Sequence, residues 1–369
     1  MSAHRIGILT GGGDAPGLNA VIRAVVKHGV GQKHWEVVGC EDSFNGFLEE
    51  PRRLMAMTPE TCRGLLHRGG TILGTTNRGD PFAFPDGAGG TVDRSAALAA
   101  AVREERLEGL IVIGGDGTQR IAARLMADHG VPVVGVPKTI DNDLGATDFT
   151  FGFWSTVHVA TDALDRLHTT AEAHDRVMLL EVMGRDAGWI ALYAGVAGGA
   201  DCIAIPELPY DVDRFVQKIR RRQQQGRQFT IIVVAEGAFP AGQSRRKRGA
   251  ANHLADLLEA RIDVESRVTV LGHIQRGGSP VPFDRVLATR FGVKAVELID
   301  AGRWGELVCL DRNEVTSVPL LDAAGPPRLV HPRHALIRAG AAVDIEFGAD
   351  LPEGRPSGES SNPTGIRET

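Results

Sequence analysis

Leu110–Val136 reads LIVIGGDGTQRIAARLMADHGVPVVGV, and this stretch decides the fold. Leu110-Ile111-Val112-Ile113 is apolar without alternation. A strand with one face in water alternates. A strand apolar on both faces is covered by helices on both sides, the habit of parallel sheets. Gly114-Gly115-Asp116-Gly117 follows as a tight turn, Gln119–His129 has helical spacing, and Val131–Val136 is a second apolar strand. Strand, turn, helix and strand make a βαβ unit.

The rhythm extends in both directions. Upstream, Arg5–Leu9 and Trp35–Cys40 read as strands, and Asn19–Lys27, Glu60–His67 and the Ala-rich Ser95–Glu105 as helices. Downstream, helical patterns at Thr156–Thr170, Val212–Gln224, Ala251–Arg261 and Asp284–Ala301 alternate with strands at Val177–Glu181, Cys202–Ile205, Thr230–Ala235 and Val268–Leu271. The expected fold class is α/β: two similar Rossmann-like three-layer domains with mainly parallel sheets and the active site in the cleft between them. Arg78–Gly90 is irregular, Ala241–Gly249 reads as a basic, solvated surface turn, and Ala349–Thr369 as a mobile tail.

The 369 residues suffice for two such domains. A formal net charge of -5 excludes a global basic field, so nucleic acid is not an expected partner, and anionic ligands require locally gathered arginines. Cys40, Cys62, Cys202 and Cys309 lie far apart with no CxxC pair. That spacing speaks against a zinc or disulfide framework and for a reducing, cytoplasmic location. Met1–Leu9 lacks the apolar core of a signal peptide, and no apolar run reaches membrane-spanning length.

Five motifs carry chemistry. Thr10–Ala20 (TGGGDAPGLNA) joins a strand to a helix; it suits a structural turn or a phosphate loop, in which glycines admit phosphate oxygens to the backbone. In Gly114–Thr118 (GGDGT), Asp116 stands where a carboxylate can hold Mg²⁺ against nucleotide phosphates, or can merely cap a turn. Pro137–Asp143 (PKTIDND) suits either a plain loop or one that can offer a base, a phosphate donor and a polar support from one short segment. Glu181–Gly188 (EVMGRDAG) and Leu271–Arg285 (LGHIQRGGSPVPFDR) follow strands, with Arg176 and Arg267 near the starts of those strands. Arginine forks suit phosphate. A lone histidine such as His273 is more often structural, but here it stands between Arg267 and Arg276.

Together, from about Arg5 to Ala301, these motifs resemble the 6-phosphofructokinases of the large bacterial and eukaryotic family. The resemblance implies phosphorylation of fructose 6-phosphate by ATP with Mg²⁺, the committed step of glycolysis. It implies that Asp141 is the base, that Thr139 and Lys138 contact the transferred group, that Asp143 orders the site and that Arg185 stabilises the charge of transfer. Gly13, Arg78, Gly115, Asp116, Gly117 and Thr118 form the nucleotide side, with Asp116 toward the metal. The substrate side comprises Thr139, Asp141, Met183, Gly184, Arg185, Glu236, His273 and Arg276, with Arg176 and Arg267. The last two reach into a neighbouring subunit in this family, so a homotetramer is expected, with a dimer as second choice. The implied domains are 1–150 with about 272–325 for nucleotide, and 151–271 with about 326–348 for sugar phosphate, followed by the tail 349–369.

Two departures bear on the reaction. Lys138 stands where many ATP-dependent members have glycine and pyrophosphate-dependent members have lysine. Pyrophosphate-dependent members, however, carry an aspartate in place of Gly117, which crowds the α-phosphate. Gly117 keeps that room, so ATP is the expected donor and pyrophosphate the alternative. Another ketose phosphate, such as sedoheptulose 7-phosphate, is the alternative acceptor. Arg23 and Lys27 match relatives controlled by ADP or phosphoenolpyruvate, but His168 replaces a further arginine and Met57–Cys62 lacks one.

Overall fold

The computed structural model describes residues 4–246, 248–321 and 325–352. β1 (Arg5–Gly11) leads to α1 (Leu18–Lys33), β2 (Glu36–Cys40), the short α2 (Asn45–Leu48) and β3 (Leu54–Met57). A small hairpin, β4 (Phe84–Pro85) and β5 (Thr91–Val92), precedes α3 (Ser95–Glu104), β6 (Gly109–Gly114), α4 (Asp116–His129) and β7 (Val133–Pro137). α5 (Phe153–His174) then leads to β8 (Val177–Val182), α6 (Trp189–Ala197), β9 (Cys202–Ala204), α7 (Val212–Gln224), β10 (Thr230–Ala235), α8 (Ala250–Glu259) and β11 (Ser266–Val270). A 3₁₀ turn (Gly272–Arg276), α9 (Pro282–Asp300), β12 (Glu306–Asp311), β13 (Glu314–Pro319) and α10 (Ala335–Ala342) follow.

The chain forms two compact units. Of the described residues, one unit holds those within 4–140, 144–155 and 276–327; the other holds those within 141–143, 156–275 and 328–352. The breaks expected after residues 150, 271 and 325 fall instead after 155, 275 and 327. Asp141–Asp143 groups with the second unit although its chain neighbours group with the first.

In the first unit seven strands run in the order β13-β12-β7-β6-β1-β2-β3. β2, β1, β6, β7 and β12 are mutually parallel, with β3 and β13 antiparallel at the edges. Alternate residues of one strand feed opposite layers, as a two-residue side-chain period requires. Ile111 and Ile113 of β6 join the cluster containing Val21 and Val25 of α1 and Phe291 of α9. Leu110 and Val112 join the one containing Leu98 of α3 and Leu125 of α4. Strand order reverses between β1 and β6, so the loops leaving these neighbours diverge and open a crevice at their carboxyl ends.

The second unit holds four parallel strands ordered β11-β8-β10-β9. β8 and β10 are adjacent and buried along their whole length. The chain leaves β8 for β9 on one side and leaves β10 for β11 on the other. Both sheets are mainly parallel, but the two halves are unequal, because the β12–β13 hairpin and β3 widen the first.

Glu60–His67 is not a helix. Thr58 and Thr61 bond reciprocally, each backbone N–H to the other's hydroxyl at 3.0 and 3.3 Å, and Gly64 has φ +73°. Threonine hydroxyls that satisfy the local backbone compete with the helix ladder, and the left-handed glycine ends the turn. α2, β3, β4, β5, α6, β12, β13 and α10 have no counterpart among the expected elements. Of the expected tail, residues 353–369 lie outside the described residues. Among the described residues no helix is long and apolar enough to cross a membrane, and the four cysteines are buried and free.

Candidate active site

Three motifs converge in the first unit, at the β1–β6 crevice. Lys138 is 3% exposed; its backbone N–H donates to Gly114 O at 2.9 Å, and its ammonium donates to the carbonyl oxygen of Gly13. One residue thereby ties the loops after β1, β6 and β7. The guanidinium of Arg276 lies over Gly13 and donates to Asp14 O at 2.9 Å; a β-carbon on Gly13 would stand 2.7 Å from Arg276 Nη1. Thr75 Oγ donates to Gly12 O at 2.6 Å and Gly12 N–H to Thr76 O at 3.2 Å, which draws the exposed Arg78 loop alongside. Thr139 O accepts from Thr150 Oγ at 2.7 Å.

Asp116, Gly117 and Thr118 form the first turn of α4, with Gly115 as its N-cap, so the helix starts three residues earlier than its periodicity suggests. The N–H groups of a first turn have no intrahelical acceptor and, with the helix dipole, favour an anion. Thr118 is buried, wedged against Gly11 and Gly114. Gly117 is different: a β-carbon there would meet nothing within 4 Å. Asp116 Oδ2 pairs with Arg120 at 2.8 Å, while Asp116 Oδ1 is buried with no hydrogen-bond partner among the described residues. Among those residues no three His, Cys, Asp or Glu side chains cluster as a metal cage. A single carboxylate of this kind fits Mg²⁺, which keeps most of its waters and takes phosphate oxygens as further ligands.

In the second unit the loops after β8 and β10 meet. Glu236 Oε1 accepts from the N–H of Arg185 at 2.9 Å. Gly184 has φ +138°, and a β-carbon there would stand 2.4 Å from Ala187 O, so only glycine makes this turn. Met183 is buried, Arg185 is exposed with φ +53°, and His273 is exposed on the 3₁₀ turn. The buried carboxylate of Glu181 accepts from Ala251 N–H at 2.9 Å at the start of α8. Burial, aided by the neighbouring Glu236 charge and opposed by that hydrogen bond, raises the Glu181 pKa above its ordinary value. Asp141 is 4% exposed and packs with this unit.

Arg176 and Arg267 stand apart from this group. Arg176 clasps Glu265 with two hydrogen bonds, at 2.8 and 3.0 Å, and Arg267 pairs with the same carboxylate. The Arg176 bonds hold Glu265 below the usual carboxylate range. Arg176 immediately precedes β8 and Met183–Arg185 immediately follows it, so the strand's length of about 20 Å separates them. Arg276, expected beside His273, falls in the first unit on the Gly13 loop.

Sequence reasoning missed four residues. Arg245 lies in the loop read as a solvated turn, but it pairs with Asp186 and donates to Arg185 O at 2.6 Å. Glu207, Glu265 and Arg328 act through partners distant in sequence, and only the basic run around Arg245 carried a visible signal.

The Phosphofructokinase family model matches residues 5–299. The chain is 51% identical over 354 residues to the ATP-dependent 6-phosphofructokinase of Chloroflexus aurantiacus, covering 94% of this chain and 99% of that protein. It is 46% identical over 356 residues to ATP-dependent 6-phosphofructokinase 1 of Synechocystis, with the same coverage. Among solved structures it resembles the phosphofructokinase of Saccharomyces cerevisiae, with a TM-score of 0.77 and 31% identity over 87% of this chain and 45% of that longer one. The pyrophosphate-dependent phosphofructokinase of Nitrosospira multiformis shares the fold, with a TM-score of 0.79 at 20% identity over 98% of this chain and 96% of that one.

Proposed function

This chain belongs to the phosphofructokinase family, and from that membership we infer that it transfers the γ-phosphoryl group of ATP to the C1 hydroxyl of fructose 6-phosphate, giving ADP and fructose 1,6-bisphosphate. The single observation that favours a nucleotide donor is the open space at Gly117, on the first turn of α4. An α-phosphate has room there, and first-turn N–H groups face an anion.

Asp141, buried and therefore shielded from bulk water, takes the hydroxyl proton as the new O–P bond forms and the bond to ADP breaks. Thr139 and Lys138 contact the transferred group, Asp143 supports the loop, and Arg185 balances the negative charge of transfer. Gly13, Arg78, Gly115, Asp116, Gly117 and Thr118 serve the nucleotide. Asp116 would hold Mg²⁺, which when bound neutralises phosphate charge. Met183, Gly184, Glu236, His273 and Arg276 serve the sugar phosphate. Arg176 and Arg267 serve the site of a neighbouring subunit in a cytoplasmic homotetramer; their distance along β8 and β11 from Arg185 and His273 supports that division.

Formation of fructose 1,6-bisphosphate by the purified protein and by Asp141→Ser tests the assignment. Turnover by the wild type is expected, with a fall of about 10²–10⁴-fold in the variant. Near-normal turnover by Asp141→Ser would remove Asp141 from its role. Preference for sedoheptulose 7-phosphate in a parallel assay would replace the acceptor.

A further inference from the structure

We propose that Arg328 is a positioning residue for phosphoryl transfer: it clasps the loop Asp141–Asp143 to the turn that carries Arg185. This rests on the reading of Asp141 as the base. Arg328 lies beyond the 5–299 matched by the family model.

The loop needs an external hold. Asn142, between the two carboxylates, has φ +53°, a left-handed conformation uncommon for a residue with a side chain. Arg328 grips it at two successive carbonyls. Its backbone N–H donates to Asp143 O at 2.7 Å, and its Nη2 donates to Asn142 O at 3.2 Å. On the other side, Arg328 O accepts from Trp189 Nε1 at 2.9 Å, and its guanidinium lies 4.9 Å from the centre of the Trp189 ring. Trp189 starts α6, four residues after Arg185.

A second tie runs parallel to the first. Glu207 Oε1 accepts from Gly188 N–H at 2.9 Å and from Val330 N–H at 2.8 Å. The turn after β8 and the 328–330 segment are thus joined twice, and the Asp141–Asp143 loop hangs from the join. All these residues belong to one compact unit, which accounts for Asp141–Asp143 grouping with it rather than with its chain neighbours. Fixing the carbonyls of Asn142 and Asp143 fixes the backbone from which the carboxylate of Asp141 projects. A displacement of about 1 Å at a reacting group costs about 10²-fold in rate.

Four measurements test the clasp. Arg328→Ala is expected to lower kcat by about 10²-fold with KM for both substrates unchanged. In an Asp141→Ser background the same change is expected to cost nothing further, because a residue that acts through the base has no effect once the base is gone. Amide hydrogen exchange at 141–143 is expected to quicken in Arg328→Ala and reads the grip without reference to activity. Both variants keep the backbone bonds of residue 328 to Asp143 and Trp189 and lose the Nη2 bond to Asn142 O; Arg328→Lys also keeps the charge over Trp189, so it is expected to fold normally and to lose less kcat than Arg328→Ala. Unchanged kcat, an equal loss in both backgrounds, or unchanged exchange at 141–143 would overturn the proposal. Failure of the wild type itself to phosphorylate fructose 6-phosphate would instead overturn the reading on which it rests, while the exchange result still decides the clasp.

Discussion

The ammonium of Lys138 donates to the carbonyl oxygen of Gly13, joining loops 125 residues apart in sequence. In this arrangement the lysine is part of the frame that holds the glycine loop. Lys138→Gly is therefore expected to lower stability by about 1.5–3 kcal/mol, the worth of a charged hydrogen bond, and to leave ATP preferred over pyrophosphate. Urea unfolding and paired donor rates check this; a reversed donor preference would make Lys138 the determinant.

Gly117→Asp separates nucleotide binding from folding. The added side chain meets no protein atom within 4 Å, and an acid in the first turn of α4 suits the helix dipole. Tm is expected to hold or rise slightly. A carboxylate beside a phosphate costs several kcal/mol, so kcat/KM for ATP is expected to fall by about 10²-fold or more. Unchanged ATP kinetics would detach Gly117 from the nucleotide.

The strand legible in Leu110–Ile113 and the glycine turn behind it carried most of the fold, because apolar continuity and turn chemistry are local signals. The antiparallel edges were less visible: β12 pairs with β7 across most of the second unit's sequence, and nothing in its own pattern announces that partner. The same holds at the site. Motif residues around Gly13, Asp116 and Asp141 were legible. Arg245 stood in a visible basic run, but Glu207 and Arg328 work on backbone carbonyls or N–H groups, which any residue supplies, so those partners leave no mark in the sequence.

Arg176 and Arg267 share Glu265 at the amino ends of β8 and β11. If they serve a neighbouring subunit, Asp141→Ser and Arg176→Ala are each impaired alone, but hybrids regain activity, because some sites combine the intact base of one chain with the intact arginine of the other. Coexpression with two tags and purification of the hybrid checks this. No recovery would return both arginines to their own subunit or to a structural role.

Asp284 predicts a pH dependence of stability. Its Oδ2 accepts from Ser155 N–H at 2.7 Å and Ser155 Oγ at 2.6 Å, and burial pushes its pKa up from 3.8 to about 6. The native state therefore binds this proton more tightly than the unfolded chain. The stabilisation is fully present below about pH 4 and lost as pH rises through about 6. Stability of the wild type relative to Asp284→Asn is expected to fall by about 3 kcal/mol across that window. A difference independent of pH would show that Asp284 keeps an ordinary pKa.

Initial rates of the wild-type protein with fructose 6-phosphate and Mg²⁺, with ATP as donor in one reaction and pyrophosphate in the other, test the functional assignment most directly. Fast formation of fructose 1,6-bisphosphate with ATP and little or none with pyrophosphate is expected from the open first turn at Gly117. Faster turnover with pyrophosphate would contradict it and transfer the choice of donor to Lys138.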